Sequence, residues 1–157
     1  MGTKASDIFD LFMTTVSDYK LETIFESTGE SGLNTALEPW LLFGIADFDD
    51  VCTQSLAYTN ISETEIEDGE FAVDLTSKNQ IILSLIMLRY WMERQVQDVM
   101  QMNNFIQDHD FKRFSAASNL RAKSDYLRDI IERVDTRLLQ YGLYNNNWSN
   151  WQNQNFG

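Results

Sequence analysis

The apolar residues of this chain recur at helical spacing over most of its length and separate into four stretches. In the first stretch, one apolar face is formed by Ile8, Phe9, Leu11, Phe12 and Val16. Ser6 stands before this face and is the predicted cap, because a serine side chain can accept a hydrogen bond from the first free amides of a helix. A further helical turn over 18–25 is expected to end at the breaker STGESG, residues 27–32.

The second stretch, residues 40–48, is apolar almost all round. Asn34 is the predicted cap of this second helix. Pro39 falls near its first turn, where a missing amide donor is tolerated. A helix without a polar face is normally enclosed on several sides. We therefore expect the second helix to be well buried.

The third stretch predicts the longest helix, from Lys78 to Met102. Ser77 and Gln80 have the spacing of a capping box at its start. Apolar residues point in nearly every direction as far as Met92 and then narrow to a single stripe. At 1.5 Å per residue this helix measures about 38 Å. That is longer than a small core needs, so its distal turns are expected to reach a neighbour.

The fourth stretch predicts an amphipathic helix of about 25 residues, separated from the third by an interruption over 103–114. Its apolar stripe consists of Leu120, Leu127, Ile131, Val134, Leu138 and Tyr141. The opposite face alternates acidic and basic residues, as on a solvated helix with local ion pairs. Gly142 is the predicted stop of this helix.

Residues 53–75, here called the acidic excursion, lose the helical periodicity. Asp68-Gly69 is a favourable turn, and Phe71, Val73 and Leu75 alternate with polar or small residues. Such a pattern is typical of a β-hairpin, and a disordered acidic loop is the open alternative. The acidic residues that form the candidate surface are Glu63, Glu65, Glu67, Asp68, Glu70 and Asp74.

The last twenty residues, 138–157, carry no charge. Residues 144–157, here called the C-terminal arm, set four aromatic side chains among asparagine and glutamine: Tyr144, Trp148, Trp151 and Phe156. Aromatic rings are unfavourable in water, and this segment has no aliphatic residue after Leu143 with which to build a core. We therefore expect the arm to dock, either on its own domain or on another protein.

Together these patterns predict an all-α fold: a bundle of about four helices over 1–143, with the acidic excursion as a small insertion and an extended C-terminal arm. The net charge of −12 is divided unevenly. Residues 1–74 hold 16 acids and two bases, for −14, whereas 75–157 hold 8 acids and 10 bases, for +2. Tight binding of nucleic acid by the acidic half is disfavoured, because phosphates would be repelled. A head-to-tail contact, an acidic lining that DNA passes, or a plain solvated surface all remain open.

The sequence offers little for catalysis or metal binding. His109 is the only histidine and Cys52 the only cysteine, so an internal disulfide and a Cys-based zinc site are excluded. Asp108 and Asp110 beside His109 are interpreted as cap or turn residues, and the carboxylates at 47, 49 and 50 as a solvated helix end. Phosphate-binding and nucleophile motifs are absent from the sequence. We predict a protein that is not an enzyme and has no cofactor or metal. It is also expected to have no membrane span and no export signal.

Several segments resemble small neck proteins of tailed bacteriophages. The resemblance lies in DLTSKNQIIL (74–83), YWMERQVQDVMQM (90–102) and DFKRFSAASNLRAK (110–123), with further echoes in DIFDLFMTTVSDYKL (7–21) and EPWLLFGIADFDD (38–50). It covers most of the chain and involves no catalytic signature. It implies a head–tail adaptor, also called a connector or head-completion protein.

Such adaptors form a ring, usually dodecameric, beneath the portal and extend the DNA channel toward the tail. The resemblance implies a helical bundle whose carboxy-terminal arm docks on the portal or on a neighbouring subunit. It implies the portal and other neck or tail proteins as partners, and viral DNA that passes without specific binding. The expected location is the virion neck, after synthesis in the host cytoplasm.

Two alternatives remain open. The chain could be a small acidic regulatory or inhibitory protein whose excursion mimics nucleic acid, in which case the arm would merely fold back. It could also be a chaperone for another virion protein, which would use the same docking arm. Charge reversal in the excursion separates the mimic from the adaptor, because only the mimic depends on those charges for binding.

Overall fold

The structure, a computed structural model, describes residues 2–16, 18–61, 68–105 and 110–145, with only the backbone for 102–105 and 110–116. Its elements in chain order are α1 (Ala5–Met13), α2 (Tyr19–Asp49), β1 (Tyr58–Thr59), β2 (Glu70–Phe71), α3 (Ser77–Phe105) and α4 (Asp110–Asn145). The predicted all-α bundle of about four helices is confirmed. The described helices include none long and apolar enough for a membrane span.

α3 is the central helix and packs against α1, α2 and α4. Its first half is apolar on several sides, as predicted, and its fully enclosed residues include Ile82, Leu83, Ile86, Met87 and Leu88. α4 runs antiparallel to α3. Lys78 at the start of α3 lies beside Tyr144 at the end of α4, whereas Gln95 accepts a hydrogen bond from Lys123 at 3.3 Å. The C-terminal arm therefore begins at the end of the bundle where α3 starts.

α2 is one element where two helices were predicted, and its only break is at Gly29. The backbone of Gly29 has φ 73° and ψ −167°, a conformation that is essentially restricted to glycine. The prediction that Asn34 caps a new helix is wrong: Asn34 is buried within α2, and Pro39 lies in the helix interior. The helix resumes directly after the glycine, so a cap five residues later has no free amides to satisfy.

The second helix is also less enclosed than predicted. Leu41, Gly44 and Phe48 are buried, but Leu42 and Phe43 are exposed. Because α2 packs mainly on α3 and α1, part of its apolar circumference faces outward.

Both predicted serine caps are wrong. The cap residue of α1 is Lys4, whose amide donates to the Asp7 carboxylate at 3.2 Å. The Ser6 hydroxyl instead donates to Asp68 at 2.7 Å.

At α3, the hydroxyl of Thr76 accepts from the Asn79 amide at 3.4 Å, so the cap lies one residue before Ser77. Gln80 donates its side-chain amide to the Leu75 carbonyl at 3.0 Å. Serine is on average the better cap, so residue preference alone does not place the cap of α3 at Thr76.

The acidic excursion contains the predicted hairpin in a smaller form. β1 and β2 pair antiparallel, with Tyr58 opposite Phe71 and Thr59 opposite Glu70. Asp68-Gly69 precedes β2 and is not a two-residue turn, because the strands are separated by residues 60–69. Phe71 and Leu75 are buried and Val73 is half-buried, so the predicted alternation is confirmed.

α4 is longer than predicted, with 36 residues from Asp110 to Asn145. Gly142 lies inside this helix, so the predicted stop is wrong. α3 likewise continues past Met102 to Phe105, and the predicted interruption over 103–114 is partly helical. The predicted stop of α4 rested on the glycine alone, whereas the apolar residue Leu143 continues the helix.

Candidate docking surface

The end of α4 is fixed to the rest of the bundle by Tyr141. This side chain is buried, and its ring lies edge-on to Phe48 with 5.1 Å between ring centroids. Its hydroxyl oxygen accepts a hydrogen bond from the Thr53 amide at 3.2 Å and lies 2.9 Å from the Thr53 hydroxyl. Tyr141 thus joins α4 to the segment that follows α2.

Lys78 reinforces this attachment from the first turn of α3. Its ammonium group lies 5.0 Å from the ring centroid of Tyr141 and 4.9 Å from that of Tyr144. A cation over an aromatic face is attracted by the ring quadrupole. The final turn of α4 is therefore held by contacts to both neighbouring helices.

Apolar side chains are nevertheless left in water at this held end. Leu139 is 64% exposed, Leu143 69% and Tyr144 76%. Such a cluster at the last turn of a firmly attached helix is typical of an interaction site.

An open groove runs beside these side chains, here called the α4 groove. It is lined by Val51, Asp135, Leu138, Leu139, Gly142 and Leu143, and its volume is about 450 Å³. Asp135 is the only charged residue among those lining it. Gly142 leaves a gap between its leucine neighbours, and a Cβ added there would meet no described atom within 4 Å.

The structure describes only the beginning of the predicted C-terminal arm. Tyr144 belongs to the last turn of α4, so residues 144 and 145 are helical and the extended arm predicted from 144 is corrected there. Trp148, Trp151 and Phe156 lie outside the described residues.

The predicted acidic surface is only partly described, and two of its described carboxylates have structural contacts. Glu63, Glu65 and Glu67 lie outside the described residues. Asp68 accepts hydrogen bonds from the Ser6 amide at 3.1 Å and from its hydroxyl. Glu70 accepts from the Gly2 amide at 2.8 Å.

Asp74 is exposed. The carboxylates of Asp68 and Glu70 thus hold the excursion to the amino-terminal segment, whose backbone also pairs with it through Ala5 and Gly69 at 2.8 Å.

Glu38 on α2 anchors the other strand of the excursion. One of its carboxylate oxygens accepts from the Tyr58 hydroxyl at 3.0 Å and from the Ile61 amide at 2.7 Å. Burial and the neighbouring Glu38 carboxylate raise the pKa of Tyr58 well above its ordinary value of 10.0. The tyrosine is therefore kept protonated, as its donor role requires.

Phe43 on α2 is another exposed aromatic residue, and its exposure was not predicted from the sequence. Phe43 is 50% exposed, and its ring centroid is 5.2 Å from that of Tyr90 on α3. The Tyr90 hydroxyl donates to Asp47 at 2.8 Å, and burial together with this hydrogen bond raises the pKa of Tyr90. Arg89 lies 3.5 Å from Asp47 and 3.1 Å from Glu93.

The candidate metal ligands are not brought together within the described part of the chain. The Asp47 carboxylate accepts a hydrogen bond from the Tyr90 hydroxyl, whereas Asp49 and Asp50 are exposed at the end of α2. His109 and Asp108 lie outside the described residues. A search of those that are described found no group of three or more His, Cys, Asp or Glu side chains placed to hold a metal ion.

Cys52 is half-buried. Its sulfur lies 3.5 Å from the Asn79 side-chain amide and 3.8 Å from the Tyr141 hydroxyl. These contacts place it in the polar junction that fixes the end of α4.

Comparisons with protein-family models, with curated proteins and with solved structures found no significant match.

Proposed function

We propose that this chain is a structural virion protein of the head–tail adaptor type. Copies of it assemble as a ring, of twelve in the usual arrangement, beneath the portal of a tailed phage. The ring extends the DNA channel and joins head to tail. The C-terminal arm docks on the portal or on a neighbouring subunit.

One observation carries this proposal: the apolar end of α4 is held firmly and yet left uncovered. Tyr141 and Lys78 attach the last turn, while Leu139, Leu143 and Tyr144 remain exposed. The chain then continues into an uncharged segment with two indole rings and one phenyl ring. Aromatic anchors of this kind often supply most of the binding energy of an interface.

The charge distribution suits a channel component. DNA slides past an acidic wall without adhering, since its phosphates are repelled. In this proposal the acidic amino-terminal half contributes to such a wall, and DNA is not bound specifically.

The test is capture of the full-length chain by the purified portal ring of the phage whose genome encodes it. The double variant Trp148→Ser/Trp151→Ser removes both indoles, and it should lose capture by at least about thirtyfold, as for a hot-spot pair. The matched control is Asn147→Ser/Asn150→Ser, which changes the same segment without removing a ring and should be captured like the wild type. Equal capture of all three proteins would contradict docking of the arm on the portal, and failure of the wild type to be captured would contradict the proposal as a whole.

The acidic mimic and the assembly chaperone are distinguished by separate variants. Asp68 and Glu70 serve the fold, so a test of mimicry has to leave them intact. Glu63→Gln/Glu65→Gln/Glu67→Gln removes three charges from the excursion and should leave portal capture unchanged if the chain is an adaptor. Loss of portal capture in this triple variant would show that binding depends on these three charges and would favour the mimic. Absence of the chain from mature particles would favour the chaperone.

A further inference from the structure

The α4 groove has a mainly apolar lining. Val51 contributes to it from the segment after α2 and Leu138, Leu139 and Leu143 from α4, while Gly142 contributes no side chain. The space above Gly142 is open, because an added Cβ meets no described atom within 4 Å. A flat aromatic ring is the kind of group that such a gap accommodates, since it removes a large apolar area from water at little cost in conformational entropy.

The chain itself supplies an occupant of the right chemistry. Residues 146–157 follow α4 directly and carry Trp148 and Trp151 without any charge. The groove is likewise nearly uncharged, with Asp135 at its edge. Twelve residues reach at most about 40 Å when extended, which is enough to cross to a neighbouring subunit.

A second copy is a better source of this segment than the same copy. The groove residues precede the segment in the chain, so covering its own groove requires a reversal of direction immediately after Asn145. A turn takes about four residues and would absorb Trp148, leaving one indole near the groove. A segment from a neighbouring copy needs no such turn to reach the groove, so it can present either Trp148 or Trp151 there.

We infer that the α4 groove of each copy receives an indole of the C-terminal arm of the next copy. Arm and groove are different surfaces, so the contact is heterologous and can repeat around a closed ring. This inference rests on the proposed function and adds to it the receptor surface for the arm. The exposed Leu139 and Leu143 would be covered only in the assembly.

Sedimentation velocity of full-length variants provides the test. The wild type should associate with increasing concentration. Gly142→Leu fills the groove, and Trp148→Ser/Trp151→Ser removes the rings. Each should weaken association by at least about thirtyfold. Gly142→Leu should stay folded with an equal or higher thermal midpoint, because leucine is the better helix former and its Cβ enters open space.

Mixing the two variants distinguishes exchange between copies from other arrangements. The arm variant keeps an intact groove and the groove variant keeps an intact arm, so an equimolar mixture should form heterodimers and nothing larger. Gly142→Ala serves as the control that leaves most of the gap open, and it should associate like the wild type.

Three outcomes would overturn the inference: a wild type that stays monomeric, a Gly142→Leu variant that associates normally, or a mixture that forms no heterodimer. If portal capture still depends on Trp148 and Trp151 in those cases, the proposed function stands. Failure of the wild type to bind the portal would instead overturn the proposed function, even if arm exchange between copies is observed.

Discussion

Tyr141 shows how a single side chain attaches the end of α4 to the rest of the bundle. Its ring contributes to the core beside Phe48. Its hydroxyl oxygen accepts a hydrogen bond from the amide of Thr53, which lies in the segment that follows α2. The hydrogen bond to Thr53 is part-buried, so its loss costs less than that of a fully enclosed bond but is not free. The position of the end of α4 therefore depends in part on one hydroxyl group.

We expect Tyr141→Phe to lower the free energy of unfolding by about 0.5–1.5 kcal/mol, the net contribution of a part-buried hydrogen bond to the Thr53 amide. Urea unfolding measures this change. Tyr126→Phe is the matched control, because the Tyr126 side chain is 42% exposed and its loss of a hydroxyl should change the stability little. Equal effects of both substitutions would contradict the role assigned to Tyr141.

Tyr58 makes the stability sensitive to alkaline pH. Its pKa is raised in the folded protein, by burial first and then by Glu38. Above pH 10 the unfolded chain therefore releases this proton while the folded chain keeps it. The unfolded state then binds fewer protons, so stability falls as the pH rises.

This contribution is fully present below about pH 10, the unfolded pKa, and is lost progressively as the pH climbs toward the raised folded value. Urea unfolding between pH 9 and 11.5 should give a shallower decline for Tyr58→Phe than for the wild type. Parallel declines would show that Tyr58 does not titrate in the way described.

For individual residues, hydrophobic periodicity predicted the buried side chains well, whereas the polar contacts were predicted poorly. Helical spacing identified Val134 and Tyr141, and both are buried. The hydrogen bond from Ser6 to Asp68 joins residues 62 positions apart. It could not be predicted from the local sequence, which shows only a serine before a helix. Ile130 is also fully buried but was missed, because the interval chosen for the stripe led from Leu127 to Ile131.

A comparison of the elements α2 and α4 shows that a glycine does not always end a helix. Gly29 breaks α2 with a positive φ, whereas Gly142 lies within α4. From sequence, both were predicted to end helices. The difference comes from packing: α4 continues past Gly142 because Tyr141 and Lys78 hold its last turn against the bundle.

The same substitution should therefore have opposite effects at these two sites. Gly29→Ala should destabilise the protein by about 1–3 kcal/mol, since alanine rarely adopts this backbone conformation. Gly142→Ala should stabilise it by about 0.5–1 kcal/mol, because alanine is the better helix former and the added methyl group meets no described atom. Thermal or urea unfolding of the two variants gives both values. The same sign for both would contradict the backbone described for α2.

At the scale of the whole molecule, α4 is the element left most open. It packs mainly against α3, and much of its described length faces water with alternating charges. The fold class and the hairpin were predicted from hydrophobic periodicity, which is set by local geometry, whereas the antiparallel pairing of α3 and α4 was not predicted. The α4 groove could not be predicted, because Val51, which follows α2, and the α4 residues that line it come together only in the tertiary structure.

The central claim is that the aromatic rings of the arm are sheltered by another protein subunit. Hydroxyl-radical footprinting of Trp148, Trp151 and Phe156 in the dilute isolated chain and in the assembled complex tests it directly. The rings should be reactive in the isolated chain and protected after assembly, while the buried Phe12 and Phe48 stay protected in both. Rings that are already protected in the dilute monomer, or that remain reactive after assembly, would contradict the account.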